Sequence, residues 1–165
     1  MVYVRLIFFN FLTAWHAGNR VLRRRGETGM IKEITKDQEI LKLKAEVATA
    51  DDVAVADDLL DTLKSLKDSC VGLAANMIGA NKAIIVFVSN GFYVEMFNPE
   101  IEDRMGSYEA EEGCLSHDTT HKVTRYQKIK VRWQDREMKK HSKRYTGWTA
   151  QIIQHEIDHL NGILV

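Results

Sequence analysis

Apolar side chains recur every three or four residues between positions 54 and 69. They are Val55, Leu59, Leu60, Leu63 and Leu66. Such spacing brings the side chains onto one face of an α-helix, where they can pack on a core while the intervening polar residues face solvent. The segment therefore predicts an amphipathic helix.

The end of the chain carries a second pattern of this kind, over residues 149–160. Its apolar positions are Ile152, Ile153, Ile157 and Leu160. Gly147 precedes the segment, and Asn161 and Gly162 follow it. Because glycine and asparagine tolerate the backbone conformation that commonly closes a helix, we predict a C-terminal helix that ends at this pair.

Between the two predicted helices, apolar residues occur in patterns typical of strands. Residues 84–88 form an unbroken apolar run, residues 90–91 (Asn-Gly) suit a hairpin turn, and residues 92–97 supply a return strand. We expect the Asn-Pro pair at 98–99 to end that strand or to place it at an edge, because proline cannot donate a hydrogen bond to a neighbouring strand.

A further strand is predicted at residues 128–133, where Ile129 and Val131 alternate with charged residues, ahead of a turn at 135–136. Residues 70–79 are small, apolar and glycine-containing, and we interpret them as a turn-like passage. Together the elements predict an α+β fold, in which short antiparallel strands and hairpins pack on the C-terminal helix.

Composition narrows the function classes. The 165 residues are 45% hydrophobic, with 23 Lys+Arg against 23 Asp+Glu, as expected of a single globular domain. A net charge of zero gives no general signal for nucleic acid or for an anionic membrane surface, because both favour a basic excess. The two cysteines, Cys70 and Cys114, are too few for a disulfide framework and fit a reducing compartment.

Residues 1–29 differ from the rest, since they hold five arginines, a single acid, Glu27, and an apolar aromatic run. The segment could be an anchor or uncleaved signal, an Arg-rich transit-like peptide, or residues upstream of a true start at Met30. We favour the last, which predicts a non-core extension over 1–29 and a catalytic domain over 30–165. No run of about 20 apolar residues occurs, so no membrane-spanning helix is expected.

The strongest chemical signal is the run His155, Glu156, Ile157, Asp158, His159 in the C-terminal helix. Residues four apart project from one helix face, so the two imidazoles can bind one metal ion. A carboxylate one position after the first histidine can reach a water molecule at that ion, which is where a general base is needed. By itself the pattern also occurs by chance in solvated helices.

A third ligand must come from upstream, because only six residues follow His159. Besides many carboxylates, the candidates are Cys70, Cys114, His117, His121 and His141. Cys114 follows Gly113, which allows close backbone approach, and its thiolate would complete a Cys-His-His set with one open position. The alternative is a buried free cysteine without a ligand role.

Three passages resemble the signatures of the peptide deformylases, in the same order and with similar spacing. VGLAA at 71–75 resembles the core of the first signature, EGCLS at 112–116 the second and QHEIDHLNG at 154–162 the third. The resemblance runs from about residue 34 to residue 163. It implies the deformylase fold and a divalent metal, iron in the family and often zinc or nickel in preparations, held by Cys114, His155 and His159.

The resemblance also implies the reaction, with Glu156 moving the proton. The implied substrate is the N-formylmethionyl end of a nascent chain, including chains at the ribosome. The implied location is a bacterial-type cytoplasm. The sequence carries no direct signal for binding nucleic acid or a membrane. Two donors to the oxyanion are implied, the backbone N–H of Leu115 and a glutamine side chain that this sequence replaces by Met77. A thioether cannot donate, and losing one such donor costs about 10²–10³ in turnover.

Other departures and positions complete the expected site. Asn76, next to Met77, is an alternative amide donor, and Cys70 stands where the family has glycine, where it could narrow the cleft, alter the metal shell or simply pack. Arg125 is predicted to pair with Asp158 and brace the metal helix. The residues expected to bind substrate are Gly72, Gly113, Trp148, Gln151 and Ile152.

Gln151 is polar where the family usually has an aliphatic residue, so selection of methionine is open to question.

Two functions compete. The first is a deformylase with turnover reduced by Met77. The second is an inactive deformylase-like protein that keeps the metal and binds N-terminal peptides or acts on another amide. A purely structural metal site is disfavoured because it has no use for Glu156.

Overall fold

A computed structural model describes residues 3–4, 29–116 and 120–164. Within them six strands form one sheet in the order β2-β3-β4-β5-β6, with β1 pairing parallel to β4 and all other neighbours antiparallel. The strands are β1 (Tyr3–Val4), β2 (Gly72–Ala74), β3 (Ile84–Ser89), β4 (Phe92–Gly113), β5 (Thr120–Gln134) and β6 (Lys140–Thr146).

Helices pack on this sheet and confirm the predicted α+β class. They are α1 (Gln38–Leu41), α2 (Val53–Ser65) and α3 (Gly147–Leu160), with 3₁₀ turns at Ala50–Asp52 and Ala75–Ile78. The helix α2 packs on β3, while α3, the C-terminal helix, contacts β2, β3, β5 and β6. It ends at Asn161 and Gly162 as predicted, and Gly162 has a positive φ of 72°.

The core lies between the sheet and the two long helices. Leu59 and Leu63 of α2, Ile153 of α3, and Phe87 and Phe97 of the sheet are fully buried. These are the apolar positions of the helical and strand patterns, so the hydrophobic spacing of the sequence defines the faces that pack together.

The strand β4 does not end at Asn98 and Pro99, but its pairing with β3 stops at Phe97, so Pro99 lies where only β5 pairs with the strand, which is the edge alternative. Asn98 adopts a positive φ of 51°, and a register shift between Phe97 and Glu100 leaves one extra residue on β4. The Asn98 side chain takes over local pairing, since its amide bonds both backbone groups of Ala48. The bulge accommodates Pro99, which cannot donate a backbone hydrogen bond, and the strand continues to Gly113.

Other strands are also longer or less apolar than the sequence pattern indicates. The predicted strand at 128–133 is part of the 15-residue β5, β2 lies inside the passage interpreted as a turn, and β6 was not predicted. Six of the seven side chains of β6 are exposed, with only Tyr145 buried, so it carries no apolar alternation. Backbone pairing with β5 specifies this edge strand.

Apart from Tyr3–Val4, the segment 1–28 lies outside the described residues, as do residues 117–119 and 165. The boundary at residue 30 therefore stays a prediction. Among the described residues, no helix is both long enough and apolar enough to cross a membrane.

Replacing Leu63 by alanine tests the packing of α2. The side chain is fully buried, so we expect Leu63→Ala to lower the free energy of unfolding by about 2–5 kcal/mol through lost burial and a residual cavity. Leu43, 51% exposed, provides the matched control, and Leu43→Ala should change stability by about 0.5 kcal/mol or less. Urea unfolding measures both; equal effects of the two variants would contradict the assignment of the core.

Candidate active site

Two elements bring the predicted metal ligands together. His155 and His159 lie one turn apart on α3, and Cys114 lies immediately after β4. The Cys114 Sγ is 3.2 Å from His159 Nε2, which is 3.2 Å from His155 Nε2. One ligand atom of each residue lies within 4.8 Å of the others. Among the candidates that the structure describes, Cys114 is thus the third member of the cluster.

The spacing and surroundings of this cluster suit a divalent cation. Tetrahedral coordination with ordinary metal–nitrogen and metal–sulfur lengths separates ligand atoms by about 3.3–3.6 Å, close to the two distances observed. Burial lowers the pKa of His155, but hydrogen bonds to Cys114 and Glu112 and the charge of Glu156 outweigh it and raise that pKa to about 10. The surroundings therefore favour a positive charge at this point.

The other candidate ligands lie elsewhere or remain undescribed. Cys70 is buried in the same pocket but does not belong to the cluster. His121 is exposed on β5. His141 lies on β6, and its Nε2 is 2.6 Å from Oδ2 of Asp135 in the turn between β5 and β6. His117 is outside the described residues.

Side-chain amides hold α3 against its neighbours. Gln154 accepts a hydrogen bond from the Tyr126 backbone N–H and donates one to the Tyr126 carbonyl, which ties the helix to β5. Asn76 donates to the carbonyl of His159 at 2.6 Å and lies 3.4 Å from that of Leu41. These contacts hold α3 at the residue before His155 and at the backbone of His159.

Those contacts correct one expectation about Asn76. Its amide nitrogen faces the end of α3 and the Leu41 carbonyl, and Asn76 does not line the pocket. It is therefore not available as a substitute donor to an oxyanion. Met77, its neighbour, is 2% exposed and does line the pocket.

Glu112 orients His155 from inside a buried network. Its carboxylate accepts two hydrogen bonds from Arg125, at 2.9 and 2.7 Å, and its Oε2 lies 2.8 Å from His155 Nδ1. Burial alone raises the pKa of Glu112, but the bonds with Arg125 and His155 lower it to about 2. Because Nδ1 is engaged, Nε2 of His155 faces the cluster.

Arg125 also contacts Asp158, as predicted, with 2.5 Å between Nη1 and Oδ2. The Arg125 side chain is 5% exposed and the Asp158 side chain 23%. Arg125 thus joins β5 to β4 through Glu112 and to α3 through Asp158. The brace proposed from sequence is present, and Glu112 is a partner that the sequence argument missed.

Glu156 lies deep in the pocket wall. A Cβ added to Gly72 would stand 2.5 Å from Glu156 Oε1, so only glycine leaves space for the carboxylate. Among the described residues, Glu156 Oε2 is buried with no hydrogen-bond partner. Burial raises the pKa of Glu156 to about 7, with His155 lowering it and Glu112 raising it by smaller amounts. A carboxyl group near neutrality can both accept and release a proton.

One pocket is lined by Cys114 and His155 of the cluster, by Glu156 and by every residue predicted to bind substrate, whereas His159 is fully buried and does not line it. Those lining residues include Gly72, Gly113, Trp148, Gln151 and Ile152, together with Leu115. Trp148 is half exposed, whereas Gln151 and Ile152 are buried. At Gly113 an added Cβ would meet only Thr120, at an ordinary 3.6 Å, so protein contacts do not require glycine there.

Cys70 forms part of the same wall without joining the cluster. Its thiol donates to the Gly72 carbonyl at 2.9 Å. Burial, then the charge of Glu156, raises the pKa of Cys70 to about 12, so the thiol stays protonated. A neutral, internally bonded thiol packs in the wall and supports the simplest of the three roles considered for it.

Here one helix brings two histidines and a buried carboxylate close to a cysteine, and all of these but His159 line one pocket. This is the composition of a metal-dependent hydrolase site. The comparisons with known proteins agree. The polypeptide deformylase family model matches residues 31–165. The chain belongs to the peptide deformylase family, whose members are metallohydrolases.

The relatives are similar over most of their length. The peptide deformylase of Clostridium beijerinckii is 48% identical over 136 residues, which are 82% of this chain and 100% of the relative. Peptide deformylase 1 of Bacillus subtilis is 36% identical, over 81% and 86% of the two chains.

Solved structures show the same fold. A class I type b peptide deformylase from Acinetobacter baumannii, crystallised with Met-Ala-Ser bound, has a TM-score of 0.74 and 30% identity, over 82% and 97% of the chains. The peptide deformylase of Thermus thermophilus gives a TM-score of 0.73 and 34% identity, over 82% and 83%.

The charge on Glu112 should contribute stability that depends on pH. Because its pKa falls from the ordinary 4.5 to about 2 on folding, this stability is present above about pH 4.5 and is lost as the pH falls towards 2. We expect Glu112→Gln to be less stable than the parent at pH 7 and the difference to shrink at pH 3.

Urea unfolding at both pH values measures this difference. The control is Glu137→Gln, at an exposed position in the turn before β6, which should leave stability unchanged at either pH. A Glu112→Gln deficit that is equally large at pH 7 and pH 3 would show that the carboxylate charge is not its source.

Proposed function

We propose that this chain removes the formyl group from N-formylmethionyl peptides, using one divalent metal held by Cys114, His155 and His159. The observation that carries the proposal is the convergence of these three ligand atoms beside Glu156, with Cys114, His155 and Glu156 in the wall of one pocket and Glu156 buried against Gly72. Iron(II) is the metal implied by the family resemblance, with zinc and nickel as the alternatives.

A bound divalent ion would supply Lewis acidity at the cluster, which makes water acidic enough to attack at neutral pH. Glu156 then takes the proton of the attacking water and passes it to the leaving amine. Its pKa of about 7 supports both transfers, because the carboxylate accepts at neutral pH and its acid releases readily.

The oxyanion that forms on the formyl group needs donors. We assign one to the backbone N–H of Leu115, which directly follows Cys114 and lines the pocket. Met77 occupies the position of the second donor, and its thioether has no hydrogen to give. With the Asn76 amide bonded to the His159 carbonyl near the end of α3, turnover is expected to fall by about 10²–10³, or roughly 3–4 kcal/mol.

The pocket accommodates the methionine side chain between Trp148 and Ile152. Gln151 accepts a hydrogen bond from Tyr108 and donates one to Glu112, so its amide is bonded to protein groups at both ends. Because both polar ends of the amide are satisfied within the protein, Gln151 does not present an unpaired polar group to a methionine side chain in the pocket. The Acinetobacter relative that binds Met-Ala-Ser also supports a peptide that begins with methionine.

We further propose that the substrate is the start of a nascent chain near the ribosome in a bacterial-type cytoplasm. The bacterial relatives and the two free, buried cysteines support this setting. A second candidate function is suggested by Met77: a protein that keeps the metal but only binds N-terminal peptides or acts on another amide.

Restoring the missing donor provides the first functional test. We expect Met77→Gln to raise kcat for formyl-Met-Ala-Ser by about 10²-fold, because the amide supplies a hydrogen bond made only in the transition state. Steady-state kinetics on the iron- or nickel-loaded protein measure the change, with Glu156→Ala as the blank.

Each outcome of that test has a distinct meaning. A parent that turns over as fast as Met77→Gln would show that Met77 does not limit the reaction. If parent and Met77→Gln both equal the Glu156→Ala blank, deformylation is the wrong function and the binding alternative is favoured.

Removing the thiolate tests the ligand set separately from catalysis. We expect Cys114→Ala to lose stoichiometric metal, because two histidines alone leave the cluster without its anionic ligand. Cys70→Ala, a change of the same kind in the same pocket, should retain a full load. Elemental analysis after dialysis gives the metal content; a full load in Cys114→Ala would overturn the assignment.

A further inference from the structure

Two polar residues outside the family signatures extend the network around His155. Tyr108 of β4 donates from its hydroxyl to Gln151 Oε1 at 2.9 Å. Gln151 of α3 donates from Nε2 to Glu112 Oε1 at 2.8 Å. Gln151 is 5% exposed and Tyr108 half-buried. A hydrogen-bonded chain therefore leads from Tyr108 through Gln151 to Glu112 and on to the His155 ring.

The directions of these bonds are determined by chemistry. A carboxylate can only accept, so Gln151 must turn its nitrogen toward Glu112 and its oxygen toward Tyr108. Burial, then the negative charge of Glu112, raises the pKa of Tyr108, so its hydroxyl keeps the proton that it donates. Each member thus limits the orientation of the next.

Glu112 is fully engaged as a result. Its Oε1 accepts from both Arg125 Nε and Gln151 Nε2, and its Oε2 from Arg125 Nη2 while lying against His155 Nδ1. Arg125 holds the carboxylate from β5, and Gln151 holds it from α3, the helix that carries His155. The two contacts come from different elements, so together they restrict rotation of the carboxylate.

We propose that Tyr108 and Gln151 are positioning residues, which fix Glu112 and through it the orientation of the His155 ring toward the metal cluster. The inference rests on the proposed role of His155 as a ligand. It assigns the polar residue at position 151 a task within the protein, rather than recognition of a polar substrate side chain.

The test compares four variants for zinc affinity: Tyr108→Phe, Gln151→Met, the double variant that combines them, and a control. Tyr108→Phe removes only a hydroxyl, and Tyr108 does not line the pocket. Gln151→Met keeps length but cannot donate to Glu112. The control is Tyr93→Phe, the same change at the far end of β4, beside the β3–β4 hairpin. Affinity is measured for each folded protein by competition with a chromophoric chelator.

We expect Gln151→Met to weaken zinc binding by about tenfold, as typical for loss of an outer partner of a metal ligand, and Tyr108→Phe to weaken it less. The double variant should bind as weakly as Gln151→Met alone, because the hydroxyl acts through the amide. Tyr93→Phe should match the parent. In Tyr108→Phe, kcat should fall while KM is retained, and the visible spectrum of the cobalt-substituted protein should shift.

Zinc affinities and cobalt spectra of Tyr108→Phe and Gln151→Met equal to those of the parent would overturn the inference. Should Gln151→Met fail to fold, Tyr108→Phe alone decides the matter, because it introduces no new group. A parent that does not hydrolyse formyl-Met-Ala-Ser, but whose variants show the expected zinc losses, would refute the proposed function and still support the positioning role.

Discussion

The site depends on one buried carboxylate, that of Glu112. A buried charge costs several kcal/mol unless ion pairing and hydrogen bonds replace the water that it loses. Here Arg125 supplies two bonds, Gln151 a third, and His155 lies against the remaining oxygen. Since these groups belong to β5 and α3 while Glu112 belongs to β4, the same contacts that make the charge tolerable also hold three elements in position around the metal cluster.

Two glutamates within this small volume have opposite properties. Glu112 is held ionised by its partners, with a pKa of about 2, whereas burial leaves Glu156 with a pKa of about 7. The difference arises from surroundings alone, because the side chains are identical. A permanent negative charge suits the group that orients a histidine, and a group near neutrality suits proton transfer. The two tasks differ because Glu112 forms an ion pair with Arg125, whereas Glu156 is buried beside Gly72.

The sequence predicted the features that depend on local spacing. The C-terminal helix, the β3–β4 hairpin and the nearness of Cys114 to the two histidines followed from periodicity, turn chemistry and the resemblance, and the ion pair of Arg125 with Asp158 was also anticipated. What the sequence could not provide was the outcome of long-range pairing. The continuation of β4 past Pro99 depends on Asn98 bonding to Ala48, fifty residues away, and the direction of the Asn76 amide depends on a carbonyl of α3.

The register shifts of β4 have a consequence for which side chains reach the site. Side chains on a strand alternate between its two faces, so one inserted residue exchanges the faces beyond it. Ile101 is partly buried opposite the fully buried Val131, and the extra residue between Ile101 and Asp103 shifts the inward positions from odd to even numbers. Tyr108, Ala110 and Glu112 are inward because of that shift. Without it, Glu109 and Glu111 would face α3 in their place. The identity of the side chains in the pocket therefore depends on a one-residue bulge in β4 that lies about ten residues before Glu112.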